Sequence, residues 1–297
     1  MNSPYEIYLL YIFYGFNKTK IPKIKLLILA IFGGFFVGSG ASLSLICSYR
    51  FIGGLSQYYR GLVFPIGIVA AYCAGGEIFT ETCLLIMPFF LRHITILEML
   101  LTWLIVYIGN FIGTILVSLL IVYGHIPNMF DANLAQNFIT TGIAKCTLGF
   151  GEAFLKGLLC NFYNCLAYWV SLGGRETRSI ILALWIPCFL FAACDLEHCI
   201  ANMYYITAAL FTCYEYGLDN TTLNWGRLFY KNLIPVTLGN IFGGVGLFGM
   251  AYTYIYSNNE IGKNQSELYK IMEMNDSLHS NNNNNNDLST LNMTNNN

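Results

Sequence analysis

Apolar residues fall in six long runs, at 26–47, 62–90, 97–123, 154–172, 180–210 and 233–256. A bilayer crossing takes about 20 apolar residues in a helix, so the pattern predicts an all-α polytopic membrane protein with six transmembrane helices. The second and fifth runs are too long for one straight crossing, and polar stretches interrupt both, GGEIFTET at 75–82 and CDLEHC at 194–199. Both are expected to be broken helices, because unwound backbone survives in the hydrocarbon layer only where protein or a cavity satisfies it.

The interruptions invite comparison. Glu77-Ile78-Phe79-Thr80 and Asp195-Leu196-Glu197-His198 each place an acid three residues before a hydroxyl or an imidazole. The spans that follow carry Gly109-Asn110-Phe111-Ile112-Gly113 and Gly239-Asn240-Ile241-Phe242-Gly243. A three-plus-three repeat follows. With an odd number of spans per half, the second copy is inverted relative to the first, and the two breaks approach the midplane from opposite faces. For Gly109, Gly113, Gly239 and Gly243, close helix packing is an equal expectation.

The flanks complete the organisation. Residues 1–25 form an N-terminal segment whose run YLLYIFYGF is expected as an amphipathic element at the interface, since it lacks the basic leader and small-residue cleavage site of a signal peptide. Lys18, Lys20, Lys23 and Lys25 precede the first span and place the N-terminus in the cytoplasm. Arg50, Arg60, Lys145, Arg227 and Lys231 then fall outside and Arg92, Arg175 and Arg178 inside, so the later loops discriminate weakly. The two repeats occupy 26–123 and 153–256, joined by an external loop or surface helix within 124–152. Residues 257–297 turn to Asn, Ser and Asp and read as a disordered cytoplasmic tail. Asn220 heads an NTT sequon in the last external loop.

Composition agrees with the pattern. The chain has 297 residues, 56% hydrophobic and 10% charged, and a mean hydropathy of +0.54, more apolar surface than a soluble domain can bury. A net charge of −1 offers no field for nucleic acid. The ten cysteines are scattered singly, without the paired spacing of a zinc site or a disulfide framework.

Against this background, Asp195, Glu197 and His198 stand out. A charge at mid-membrane costs roughly 2.5–3.5 kcal/mol on insertion scales and usually faces a cavity or pathway. Of the four histidines, His198 alone lies inside an interruption, and an imidazole exchanges protons near pH 6.5. Lys156, in GEAFLKGLLCN, reads either as a snorkelling interfacial lysine or as an anion-attracting group near a pore mouth. No second set of ligands accompanies His198, and no nucleophile–base–orienter set is present, so neither a metal, a cofactor nor an enzyme is expected.

Together LEHCIANM, NLIPVTLGN, EIFT and the KGLL segment followed by Asn161 resemble the formate/nitrite transporter family, from about Lys18 to Tyr256. The family's Glu-His, two residues, Ala-Asn motif is met by Glu197, His198, Ala201 and Asn202. The resemblance implies an aquaporin-like fold in a homopentamer, with one pore per protomer passing small monocarboxylates or nitrite. It makes His198 the central pore histidine, paired with Thr80 and Asn240. It assigns Lys156, Glu197 and Asn202 to a proton relay, and Lys18 to a vestibule. It groups Phe64 with Ile68 at one hydrophobic constriction and Ile78 with Phe191 at the other.

Two positions depart from the family pattern: Glu81 stands where members carry a small residue, and Asp195 where they carry Gly. Extra carboxylates at a pore repel anions unless lysines pair them or they are protonated. The expected function is proton-coupled passage of weak acids of the formate, lactate, acetate and nitrite class through a multi-pass protein of the plasma membrane, with both termini cytoplasmic. The rivals are a channel for neutral solutes such as water or glycerol, against which the lack of an Asn-Pro-Ala pair speaks, and a transport-inactive scaffold closed by Glu81 and Asp195.

Overall fold

The computed structural model describes residues 1–131, 133–218 and 221–257. The sequon at Asn220 and the segment from 258 onward, His279 included, lie outside the described residues. Every regular element among the described residues is helical. In chain order these are α1 (Pro4–Lys20), α2 (Lys23–Ser48), α3 (Gly54–Ala74), α4 (Phe79–Phe90), α5 (Ile96–Tyr123), α6 (Asn133–Thr147), α7 (Phe150–Leu172), α8 (Thr177–Ala193), α9 (Cys199–Tyr216) and α10 (Trp225–Tyr256).

Helix α1 starts with a reciprocal cap: Glu6 N donates to Ser3 Oγ at 3.3 Å and Ser3 N to Glu6 Oε2 at 2.6 Å. It is not the one-sided amphipathic element expected. Ile7 through Ile12 are all buried, and all but Leu10 cluster with Leu84, Leu85, Met87, Trp169 and Phe248. A helix buried on every side is packed inside a protein, not laid on a surface.

Helices α2 and α5 pack together in the first half, and α7 and α10 in the second. Backbones meet directly at both contacts: a Cβ on Gly113 would overlap the Ile31 carbonyl, and one on Gly243 the Leu158 carbonyl. These glycines are packing residues, as small residues between membrane helices usually are. Helix α10 contains two stretches of π-helix, Leu228–Leu233 and Phe242–Met250, and the first holds Asn232, which serves the site below.

Among the described residues, α2, α5 and α10 are each long and apolar enough to cross a membrane, and α3 with α4, bent by 66° at their break, would make a fourth span. Length and hydropathy do not single out the rest. Helices α7 and α9 turn polar residues such as Asn161, Asn164, Asn202 and Thr207 into the interior, and α8 has 17 residues.

The connection at 124–152 is more than a loop. Helix α6 packs on α9 and buries Leu134, Phe138, Ile139, Gly142, Lys145 and Cys146. The ten cysteines are unbonded.

Candidate functional site

The two breaks are built alike, from the backbone upward. Each opens on a left-handed residue, Gly75 with φ 74° and Asp195 with φ 50°. In each, the next amide reaches back five residues, Gly76 N to Ala71 O at 2.7 Å and Leu196 N to Phe191 O at 3.0 Å. An asparagine then clasps the resuming helix. Asn110 Oδ1 accepts from Phe79 N at 2.8 Å while its Nδ2 donates to the carbonyls of Ala30 and Glu77, both at 2.7 Å. Asn240 Oδ1 accepts from Cys199 N at 3.0 Å while its Nδ2 donates to the carbonyls of Gly157 at 2.8 Å and Glu197 at 2.9 Å.

These bonds correct the register of the comparison. Glu77 answers to Glu197 and Phe79 to Cys199, two residues away from the match of 77–80 with 195–198. The left-handed position of Gly75 answers to Asp195, which explains why glycine suits that place: only Gly adopts it freely, and Asp tolerates it better than most. Asn240→Ala would strand the buried Cys199 N–H and the Glu197 carbonyl and remove a second bond from the Gly157 carbonyl, which keeps its helical partner, and an unsatisfied buried group costs about 1–3 kcal/mol. We expect a loss of about 3 kcal/mol or more, read as a lowered thermal midpoint of the detergent-solubilised protein.

Each break also carries a buried lysine held by two carboxylates. Lys18 Nζ stands 2.5 Å from Glu77 Oε2, an ion-pair contact without hydrogen-bond angles, and donates to Glu81 Oε1 at 2.6 Å. Lys145 Nζ donates to Glu197 Oε1 at 2.5 Å and to Asp195 Oδ1 at 3.1 Å. Around Lys145 the bonds close into a ring. Asn202 Nδ2 donates to Glu197 Oε2 at 2.6 Å and to Asn232 Oδ1 at 2.9 Å, and Asn232 Nδ2 donates to the Lys145 carbonyl at 2.8 Å.

His198 lies between the two lysine clusters, as the N-cap of α9, and is 2% exposed. Its Nδ1 accepts from Ala201 N at 3.3 Å, so in the neutral ring the proton sits on Nε2 and points to Thr80 Oγ1, 3.1 Å away. Asn164 Nδ2 donates to the same hydroxyl at 3.0 Å. Phe191 stacks on the imidazole at 5.8 Å and 12°, and Phe64 meets it edge-on at 6.2 Å. Asn161 Nδ2 ties the halves together through the carbonyls of Thr80 at 3.1 Å and Asn240 at 2.7 Å.

Three cavities border these residues. One of about 490 Å³ is lined by Lys18, Glu77, Glu81, Tyr72 and Tyr168. A second, about 10 Å³, is lined by Ile68, Ile78, Glu81, Asn164 and Leu184. The third, about 30 Å³, is lined by Arg60, Phe64, Lys145, Phe191, Asp195 and His198.

The residues singled out from sequence therefore sort differently from expectation in three respects. Lys156 is apart from the site: it pairs with Glu152 one helical turn away at 2.9 Å, and both are partly exposed. The lysine on Glu197 is Lys145. Asn240 clasps backbone beside His198, and the side chain facing the imidazole is Thr80 alone of the two. The apolar residues regroup as Phe64 with Phe191 against His198, and Ile68 with Ile78 on the Glu81 side. The side chains of Glu197 and Asn202 bond each other and not the imidazole ring; besides backbone bonds, the 30 Å³ cavity joins the two networks.

The family description "Formate/nitrite transporter" matches residues 5–254. The chain belongs to the formate/nitrite transporter family. It is 31% identical over 256 residues to the formate channel FocA of Escherichia coli (strain K12), covering 81% of this chain and 89% of that one. The uncharacterized transporter YrhG of Bacillus subtilis is 31% identical over 83% of this chain and 90% of its own. A solved structure titled a pentameric formate channel with formate bound superposes with a TM-score of 0.70 at 28% identity, over 79% of this chain and 98% of the other. Its relatives are channels and transporters, and as a member of this family the chain is a multi-pass membrane protein.

Proposed function

We propose that this formate/nitrite transporter homologue carries small weak acids across the membrane together with a proton, through one pore per protomer that passes His198. Formate and nitrite come first in the substrate class, with acetate and lactate after them. The observation that carries the reading is a buried imidazole, hydrogen-bonded to Thr80, where two broken helices meet between apolar side chains. A bare anion is penalised by many kcal/mol in such surroundings, so the ion crosses as its neutral acid. The cavity on the Lys18 side would form one mouth, and Phe64, Phe191, Ile68 and Ile78 would pass only the neutral form.

His198 hydrogen-bonds the passing acid or exchanges its proton, and Lys145, Glu197 and Asn202 hold the neighbouring charge. The relay from that ring to His198 runs through the small cavity, by way of a water or the substrate. Six crossings, counted with α3–α4 and α8–α9 as broken spans, form an inverted three-plus-three repeat, supported by the matched asparagine clasps. The assembly is a homopentamer, supported by the pentameric formate channel the chain resembles. Both termini face the cytoplasm of a plasma-membrane protein, so the Lys18 mouth is the inner one.

The test is flux of formate, nitrite, acetate and lactate into proteoliposomes under an imposed pH gradient, for wild type and His198→Phe. Gradient-driven uptake lost in the variant is the expected result, and flux indifferent to both gradient and substitution contradicts the reading. Osmotic swelling without anion flux would point to a neutral-solute channel.

A transport-inactive scaffold is the second reading, favoured by the two carboxylates that hold each lysine. It is separated by the double variant Glu81→Gly with Asp195→Gly. Asp195→Gly relieves a left-handed backbone and gives up a partly exposed ion pair of at most about 1 kcal/mol. Under the transport reading both proteins carry formate, the double variant several-fold faster. Under the scaffold reading only the double variant does.

A further inference from the structure

Attracting an anion to a pore mouth takes positive charge that is not already spent. Lys18 is 8% exposed with two carboxylates on its ammonium, and Lys145 is 6% exposed with two on its own. Each cluster sums to one cation and two anions, so neither presents a positive field to a substrate outside it.

Arg60 differs. It lines the 30 Å³ cavity with Lys145, Phe64, Phe191 and His198. Its Nε donates to Ser48 Oγ at 3.3 Å, which fixes the plane of the guanidinium against the end of α2. Among the described residues no carboxylate lies within ion-pair distance of it. The four N–H groups on its terminal nitrogens remain, in the fork geometry that matches two oxygens of one carboxylate or nitrite. Two hydroxyls, Ser44 and Tyr205, border the same cavity.

We propose that Arg60 is the anion-docking residue of the Lys145 mouth, receiving both oxygens of a small monoanion before it takes up a proton and passes Phe64 and Phe191. The size of the cavity narrows the ligand. At about 30 Å³ the cavity is small, which favours the smallest ions with two oxygens on one atom, formate and nitrite. Arg60 and not a lysine fills the role because a fork orients as well as attracts, presenting the carbon or nitrogen end of the ion to the aromatic pair.

This rests on the transport reading, and one experiment separates their failures. Formate uptake is measured against concentration and ionic strength in proteoliposomes of wild type, Arg60→Gln, Arg60→Lys and Ser48→Ala, each first shown to assemble like wild type by size exclusion. Arg60→Gln is expected to raise KM about tenfold with kcat nearly unchanged, and to abolish the rise of KM with salt that wild type shows. Arg60→Lys should fall between the two.

Ser48→Ala keeps the charge and frees only the plane of the guanidinium, so it should raise KM less than Arg60→Gln and keep the rise of KM with salt. A KM unchanged in Arg60→Gln, or raised equally in Ser48→Ala, overturns the assignment while transport stands. If Arg60→Gln does not assemble, Arg60→Lys decides: a KM raised at least threefold supports the docking role, and an unchanged KM overturns it. A wild type that moves no formate overturns both readings.

Discussion

Lys145→Met is expected to unfold or severely destabilise the protein, whereas Lys156→Met leaves it nearly unchanged. Lys145 is buried with Glu197, whose side chain is 1% exposed. Removing one partner of a buried pair leaves an uncompensated charge and costs about 3–5 kcal/mol. The loss spreads, because the same ring binds Asn202 and, through the Lys145 carbonyl, Asn232. Lys156 pairs with a Glu152 whose side chain is 52% exposed, and such a pair on a helix surface is worth about 0.3–0.5 kcal/mol. Thermal unfolding followed by size exclusion measures both. Restored stability in Lys145→Met combined with Glu197→Gln would identify the stranded charge as the cause, and equal effects of the two single lysine variants would contradict the placement of Lys145 in the site.

His198→Phe should lower weak-acid flux by a factor of about 100 or more, the range a positioned proton donor or acceptor contributes, with little change in assembly. The ring stays in its aromatic stack with Phe191, so packing survives. Two things are lost: the acceptor for Ala201 N at the start of α9, and the imidazole nitrogen facing the Thr80 hydroxyl. Asn164 still donates to the Thr80 hydroxyl, which limits the structural damage. Initial rates of formate uptake at a fixed protein-to-lipid ratio give the comparison.

The site was partly legible because expensive residues advertise themselves. Glu197 and His198 in an apolar run pointed to a break, and the repeated Gly-Asn pairs pointed to the segments that clasp it. The register of the two breaks was not legible, since an acid three residues before a polar side chain is a local resemblance, while the true pairing is set by which backbone groups Asn110 and Asn240 hold. Lys145 was missed because it lies in a segment too polar to be a span, and burial of α6 against α9 is a tertiary outcome. A signal existed all the same. Lys18 stands nine residues before Leu27, whose carbonyl lies under Gly109, and Lys145 stands nine before Phe154, whose carbonyl lies under Gly239.

Lys156 attracted attention instead because it sits inside the family-like KGLL segment, where helical periodicity turns it outward. Arg60 read as one loop charge among several, and only the cavity gives it a neighbourhood. The burial of α1 was hidden for a similar reason: an aromatic-rich run near a terminus fits an interfacial helix until its partners Leu84, Trp169 and Phe248 are in place.

Whether the acid and its proton cross together is tested most directly by the lumen of a vesicle. Proteoliposomes loaded with a pH-sensitive dye and given external formate at equal pH should acidify inside at the rate at which labelled formate enters, with both rates collapsing in His198→Phe. Formate entry without acidification, or equal acidification in the variant, would contradict proton-coupled passage through the histidine-centred pore.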